Sequence, residues 1–265
     1  MEEGLHIALA AERLFTVWSI PVTNTLIASW IIIAGLGLLA VLVRRRIAMV
    51  PAGMQNAFEA GFEYTLDMME SMLGSRRLAI RFFPLVMTIF LFILAANMFH
   101  FLPFISVVSV GDGHGHAAHL LRAPNTDLNL PLALAIISFL VIEITGILTL
   151  GVLKYGSKFV NFKAGLVGFL VGIVELIGNL ARLISLSFRL FGNIFAGEVL
   201  LLVIASFLPL FAPLPFLLFE VFIGFLQAAI FALLTLAFIR LAIEEPHAGE
   251  AHGGHEGGHT EKAHA

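Results

Sequence analysis

Three ionisable side chains lie close together inside one long apolar stretch in the C-terminal half of the chain. Arg182, Arg189 and Glu198 fall in residues 182–198, within the apolar region 164–207 that reads as a membrane segment. A charged group in the hydrocarbon core of a membrane is costly, so it is a functional candidate by default. Arg189 is the strongest candidate, because apolar residues flank it on both sides. Arg182 lies nearer the start of the stretch, where snorkelling or pairing inside a helix bundle is an equal alternative.

Helical spacing predicts which of these groups face the same neighbour. Arg182, Arg189 and Asn193 fall on nearly one face of an α-helix. Glu175 lies within about 40° of Arg189 on the same helix. Glu198 lies nine residues beyond Arg189 and therefore on about the opposite side. We expect Arg189 and Glu198 to face two different partners rather than to form a salt bridge with each other.

The composition is that of a membrane protein. Of the 265 residues, 59% are hydrophobic and 12% are charged, and the mean hydropathy is +0.98. No soluble domain of this length has such a composition. The chain has no cysteine, which excludes a disulfide framework and any cysteine-based metal or redox site. It also lacks a basic face or a recognition motif for nucleic acid, and we expect neither a nucleic-acid partner nor a cofactor.

Apolar runs separated by basic clusters predict an all-α polytopic membrane protein with about five membrane helices. The predicted spans are residues 20–43, 82–104, 128–153, 164–207 and 216–243. As a helix, the fourth run is roughly 65 Å long, about twice the hydrocarbon thickness of a bilayer. It contains glycines but no proline, so we predict one long, strongly tilted helix. Pro209, Pro213 and Pro215 predict the turn into the last span.

One further helix is predicted to lie along the surface. Apolar residues recur every three or four positions across residues 52–73, which is typical of an amphipathic helix. Its polar face is mostly acidic, which argues against adhesion to anionic lipid. We therefore expect this helix to pack against protein.

Clusters of arginine and lysine predict the orientation in the membrane. The clusters at residues 44–46, 76–81 and 154–163 all fall on one side, which the positive-inside rule makes cytoplasmic. The N-terminus is then outside and the C-terminus is cytoplasmic. We expect an external lead over residues 1–19, a single membrane domain over 20–245 and a disordered, His/Gly-rich cytoplasmic tail over 246–265.

The segment around Arg189 resembles a known family. Residues 188–198 read FRLFGNIFAGE, which is similar to the most specific motif of subunit a of the F-type ATP synthase, the membrane stator beside the rotor ring. The likeness extends over residues 20–245. It implies that Arg189 is the essential stator cation, and that Asn193 and Glu198 occupy the family's asparagine and glutamate positions. It also implies that the last two helices are long, strongly tilted and placed against the rotor.

Other positions match the same family. Glu175 corresponds to an acidic position before the arginine, and Gln227 to the glutamine that lies close to it. Glu220 stands where members of the family have histidine or glutamate, and His100 where some have aspartate. The resemblance thus implies a proton path through these residues: Asn193, Glu198, Glu220, Gln227, Glu175, His100 and Asp127, the last in a D-x-N signature with Asn129. Glu143, in the third span, matches no functional position of the family.

The resemblance implies a function and a set of partners. It implies a non-catalytic subunit that conducts protons through two offset half-channels to and from the rotor-ring carboxylates, which couples ion flow to rotation and ATP synthesis. The implied partners are a rotor ring of c-type subunits, peripheral-stalk b-type subunits, other ATP synthase subunits and the lipid bilayer. We expect the bacterial plasma (inner) membrane as the location, since no transit segment is evident.

A His-rich divalent-metal transporter is the alternative. Histidine is a common metal ligand, and it recurs in residues 114–119 and in the tail from His247 to His264. Glu143, Glu175 and Glu220 would serve transport in that interpretation. Against it, the predicted spans carry no paired His/Asp ligands at i, i+4 spacing. An intramembrane metalloprotease is excluded, because no H-E-x-x-H is present.

Overall fold

The structure is a computed structural model that describes residues 13–45, 47, 53–102, 109–111, 117–119, 121–159, 165–208 and 211–244. Seven α-helices occur in these ranges: α1 (Asn24–Arg45), α2 (Met54–Leu73), α3 (Arg76–Phe99), α4 (Asn129–Leu150), α5 (Val152–Phe159), α6 (Gly165–Phe207) and α7 (Pro213–Ile243). The predictions for the first twelve residues, for His114 and His116 and for the His/Gly-rich tail fall on parts of the chain that are not described.

Five of these helices are long and apolar enough to cross a membrane, as predicted. They are α1, α3, α4, α6 and α7. The prediction of one unbroken helix in the fourth run is confirmed, because α6 continues for 43 residues. At 1.5 Å per residue it is roughly 65 Å long, so its strong tilt in a bilayer stays a prediction from its length.

Two predicted helix starts were wrong. The first span was predicted from residue 20, but Ile20–Thr23 forms strand β2, which pairs with β1 (Arg13–Val17) in an antiparallel hairpin. Trp18 and Ser19 have positive φ angles that close the turn of this hairpin. Pro21 and the β-branched residues beside it favour an extended edge strand over a helix. A second small hairpin, β3 (Ser109–Gly111) with β4 (Ala117–His119), lies between the predicted second and third spans.

The second span was predicted to begin at residue 82, but the basic cluster before it is also helical. α3 begins at Arg76, only two residues after α2 ends. The guanidinium of Arg76 binds three carboxylates of α2: Glu63 and Asp67, each at 2.5 Å, and Glu70 at 3.2 Å. These pairs are exposed and contribute little free energy, but they fix the tight turn between the two helices.

Two further boundaries differ from the sequence prediction. The third span ends at Leu150, and the lysine-bearing segment after it forms the separate helix α5 instead of a simple turn. Pro213 and Pro215 lie in the first turn of α7 rather than in the preceding turn. Proline is favoured there because the first backbone N–H groups of a helix have no intrahelical partner.

α7 is the central helix of the bundle. It is the most buried of the five spans, whereas α6 is the least buried. Phe231 and Leu236 of α7 are fully buried, and each packs in a core cluster shared with α3. Met69 of α2 is buried in one of these clusters, so the amphipathic helix does pack against protein, as predicted.

Buried amides join the helix ends on one side of the bundle. Asn97, at the end of α3, donates to the carbonyl of Gly224 in α7 at 2.8 Å. Its Oδ1 accepts a hydrogen bond from Asn125 at 2.6 Å. The Thr25 hydroxyl at the start of α1 donates to Asp127 at 3.4 Å. These contacts hold together the start of α1, the end of α3 and the start of α4, which lie on the same side when successive spans alternate in direction.

We predict that Asn97→Ala destabilises the protein by about 1–3 kcal/mol, since it leaves the buried Gly224 carbonyl and Asn125 amide without this partner. Thermal unfolding of the detergent-solubilised protein measures the change. Ser138→Ala is the matched control, because the Ser138 hydroxyl is buried and makes no hydrogen bond within the described ranges. Equal melting temperatures for the Asn97 variant and the control would contradict the prediction.

Candidate functional site

Arg189 lies on the exposed face of α6. Its guanidinium makes one long hydrogen bond, to the hydroxyl of Ser185 at 3.5 Å. Phe188 beside it is 54% exposed, whereas Leu186 and Leu190 are buried against the other helices. The arginine is thus presented outward, on an apolar surface that the described part of the chain leaves uncovered.

Asn193 connects this face to α7. Its amide donates to Oε1 of the buried Gln227 at 2.8 Å. In the described residues, the hydrogen-bond partner of Gln227 is thus Asn193, one helical turn after Arg189. Asn193 lies four residues closer than Arg189 to the turn between α6 and α7, which is roughly 6 Å along the helix axis.

A cluster of charged groups lies at the other end of the α6–α7 contact. Glu198 pairs with Arg122 at 3.4 Å. Glu220 of α7 is 5% exposed, and its Oε1 lies 3.8 Å from Nε2 of His100. Gly197 makes this approach possible, because a Cβ there would overlap the Glu220 carboxylate. Both carboxylate oxygens of Glu220 are buried without a hydrogen-bond partner among the described residues.

His100 and Arg122 give this cluster its electrostatic character. Burial lowers the pKa of His100, the nearby Glu198 opposes that shift, and Arg122 adds to it. His100 therefore favours the neutral imidazole, which both donates and accepts a proton. The sequence prediction missed Arg122. The available signal was a basic residue just before the third span, on the side opposite the other basic clusters.

Asp127 differs from Glu198 and Glu220 in its hydrogen-bond partners. It is buried, and its oxygens accept hydrogen bonds from Thr25 and from the backbone and side chain of Asn129. Through these hydrogen bonds Asp127 joins the start of α1 to the start of α4.

The remaining predicted groups lie nearer the N-terminal end of α6. Arg182 is exposed, but it is also held by contacts within the bundle. Its guanidinium donates to Asn179 at 2.9 Å and lies 4.9 Å from the ring centroid of Phe238 in α7. Such stacking stabilises an exposed cation by about 0.5–1 kcal/mol. Arg182 and Asn179 line a small cleft together with Glu143 of α4. Glu175 is half-buried, two helical turns before Arg182.

No group of three or more potential metal ligands occurs within the ranges that the structure describes. Most of the histidines that motivated the metal-transporter alternative lie elsewhere in the chain.

The fold and the site define a multi-pass helical membrane protein of the ion-translocating class. The protein-family model described as "ATP synthase A chain" matches residues 26–240. ATP synthase subunit a of Mycobacterium bovis is 39% identical over 234 residues, which cover 86% of this chain and 88% of that protein. ATP synthase subunit a of Campylobacter jejuni is 35% identical over 212 residues, covering 79% and 86%. ATP synthase subunit a of Campylobacter fetus is 36% identical over 206 residues, covering 78% and 84%.

The chain belongs to the family of subunit a of the F-type ATP synthase. It is a non-catalytic membrane subunit of the proton-translocating sector, and other ATP synthase subunits are its partners.

We predict that Gly197→Ala slows proton flux through the membrane sector, since the added methyl group must displace the Glu220 carboxylate. Passive proton uptake by vesicles that carry the membrane sector measures the effect. Gly35→Ala in α1 is the matched control, because a Cβ there meets nothing within 4 Å. Flux equal in the two variants, at equal assembly, would show that the position of Glu220 does not matter for conduction.

Proposed function

We propose that this subunit conducts protons through two offset half-channels to and from carboxylates of a rotor ring of c-type subunits, with Arg189 as the fixed cation between them. The observation that carries the proposal is the position of Arg189 on an exposed apolar face of α6. Glu198 lies nine residues after it and Glu175 fourteen before it, which are roughly 13 Å and 21 Å along the helix axis. The cation therefore separates two groups of acidic residues.

The chemistry of the guanidinium suits this role. Arginine stays protonated under essentially all conditions in proteins. A rotor carboxylate that approaches Arg189 has its pKa lowered and releases its proton. Away from Arg189 and facing lipid, the same carboxylate is more stable with a proton bound. Arg189 thereby forces each rotor site to exchange its proton and prevents direct leakage between the half-channels.

Glu198 and Glu220 line the external half-channel in this proposal, together with His100. A carboxylate buried without a hydrogen-bond partner is costly, so Glu220 is suited to take up a proton and pass it on. Arg122 holds Glu198 in place, and the Asn193–Gln227 hydrogen bond keeps α6 against α7 between this group and Arg189.

Glu175 lines the internal half-channel, on the side of the basic clusters. By the positive-inside rule that side is cytoplasmic, which places the N-terminus outside and the C-terminus in the cytoplasm of a bacterium with this protein in its plasma (inner) membrane. Peripheral-stalk b-type subunits hold the subunit still while the ring turns. The driving free energy is about 2.3 kcal/mol per proton per 100 mV of membrane potential.

We predict that Arg189→Ala abolishes ATP synthesis and lets protons leak, since no charge then separates the half-channels. Arg189→Lys also fails, because an ammonium loses its proton more readily when desolvated and reaches differently. ATP synthesis and passive proton flux, measured in the same vesicles with the whole complex assembled, test both variants. Full synthesis by Arg189→Lys would mean that any cation at this position suffices.

The exchange Arg189→Gln with Gln227→Arg tests whether the place of the charge matters more than the helix that carries it. Gln227 touches Asn193, one turn from Arg189, so an arginine at position 227 reaches the same region. The double variant should conduct more than Arg189→Gln alone. If both are inactive although both assemble, the charge has to come from α6.

A further inference from the structure

A tyrosine of α5 and a glutamate of α4 contact each other on the side of the basic clusters. Tyr155 of α5 is 6% exposed, and its hydroxyl is hydrogen-bonded to the carboxylate of Glu143 in α4. The ring lies directly on the backbone of Gly146, where a Cβ would overlap it. Because Gly146 has no side chain, the Tyr155 ring packs directly against α4. Glu143 lies one turn before Gly146, so the tyrosine hydroxyl reaches its carboxylate.

Charges of α6 act on the same pair. Burial raises the pKa of the Tyr155 hydroxyl, Glu143 and Glu175 raise it further, and Arg182 opposes them. The phenol therefore remains protonated and serves as a hydrogen-bond donor. Glu175 and Arg182 of α6 thus act electrostatically on the Glu143–Tyr155 pair, and Glu175 is the acid that the proposed function puts on the internal half-channel.

A cleft gives Glu143 access to the neighbouring helices. The cleft lies between α4, α6 and α7, and its polar lining consists of Glu143, Asn179 and Arg182. Arg182 is fixed there by its contacts with Asn179 and Phe238. A carboxylate at the wall of such a cleft, close to a fixed cation, is able to bind and release a proton without leaving its place.

We infer that Glu143 is a proton-relay residue of the internal half-channel and that Tyr155 is the residue that positions it. Glu143 binds a proton from water on the lysine-bearing side, and passes it towards the carboxylate of Glu175; the reverse transfer returns it. Tyr155 keeps its own proton throughout and holds the carboxylate by its hydrogen bond. This inference rests on the proposed function, in which Glu175 belongs to the internal half-channel.

The competing explanation is that the pair only anchors α5 to α4. The two explanations differ for Glu143→Gln, which keeps a hydrogen-bond partner for Tyr155 but binds no transferable proton. A relay predicts a large loss of flux, and an anchor predicts almost none. Glu143→Asp keeps the carboxyl group and should retain most of the flux.

The test uses the whole ATP synthase complex in liposomes, with passive proton flux measured after removal of the catalytic sector. Glu143→Gln should lower the flux by about a hundredfold, the lower end of what a positioned proton-transfer group contributes. Tyr155→Phe should lower it by roughly threefold to tenfold, since only a hydrogen bond to the carboxylate is lost. In Glu143→Ala, added formate should restore part of the flux by supplying a carboxylate in the cleft, which no anchoring role explains.

Glu175→Gln, measured in parallel, distinguishes a failure of the proposed internal half-channel from a failure of the Glu143 relay. Normal flux in Glu175→Gln would overturn the proposed internal half-channel itself. Slow flux in Glu175→Gln with normal flux in Glu143→Gln would overturn only the relay. Near-normal flux in Glu143→Gln, together with slow flux in Glu143→Ala that formate does not restore, would assign the pair to packing.

Discussion

The rest of the structure depends on one constraint: a guanidinium cannot be neutralised by losing its proton, and hydrocarbon does not solvate it. Arg189 resolves the conflict by pointing away from the bundle, and its one hydrogen bond to a described residue is the long contact with Ser185. A partner that supplies negative charge, as in the proposed function, or a water-filled path stabilises it in that position. The least buried of the five spans therefore carries the residue that is most costly to leave in hydrocarbon.

The other helices keep that face in place. Leu186 and Leu190 bury the opposite side of α6 against α3, α4 and α7, and the Asn193–Gln227 hydrogen bond fixes α6 against α7 one turn away. The ionisable residues of α6 on either side of Arg189 are also held by contacts within the subunit. Arg122 holds Glu198 on one side, and Asn179 and Phe238 hold Arg182 on the other. Arg122 and Arg182 thus have partners within the subunit, whereas Arg189 faces outward.

The sequence predicted the features that follow from local chemistry. The unbroken α6 followed from the absence of proline, the acidic amphipathic α2 from its periodicity, and the separate directions of Arg189 and Glu198 from helical geometry. It did not predict features that depend on tertiary contacts. The strand at Ile20–Thr23 depends on pairing with β1, and the helical start at Arg76 depends on carboxylates of α2. The resemblance implied that Gln227 lies close to Arg189, but the hydrogen bond of Gln227 to Asn193 depends on the axial offset between two long helices, which the sequence alone does not fix. The same limit hid Arg122 and the Glu143–Tyr155 pair, whose partners lie on other elements.

The outward position of Arg189 towards the rotor is tested most directly by disulfide crosslinking. The chain contains no cysteine, so single cysteines can be placed on the two faces of α6 without background. Ser185 lies on the exposed face beside Arg189, whereas Ser187 is fully buried and bonds to the Leu183 carbonyl. With a cysteine next to the rotor carboxylate, Ser185→Cys should form a disulfide with the ring under mild oxidation, and Ser187→Cys should not. A crosslink from Ser187→Cys with none from Ser185→Cys would contradict the account, because the rotor would then face the side of α6 that the structure buries.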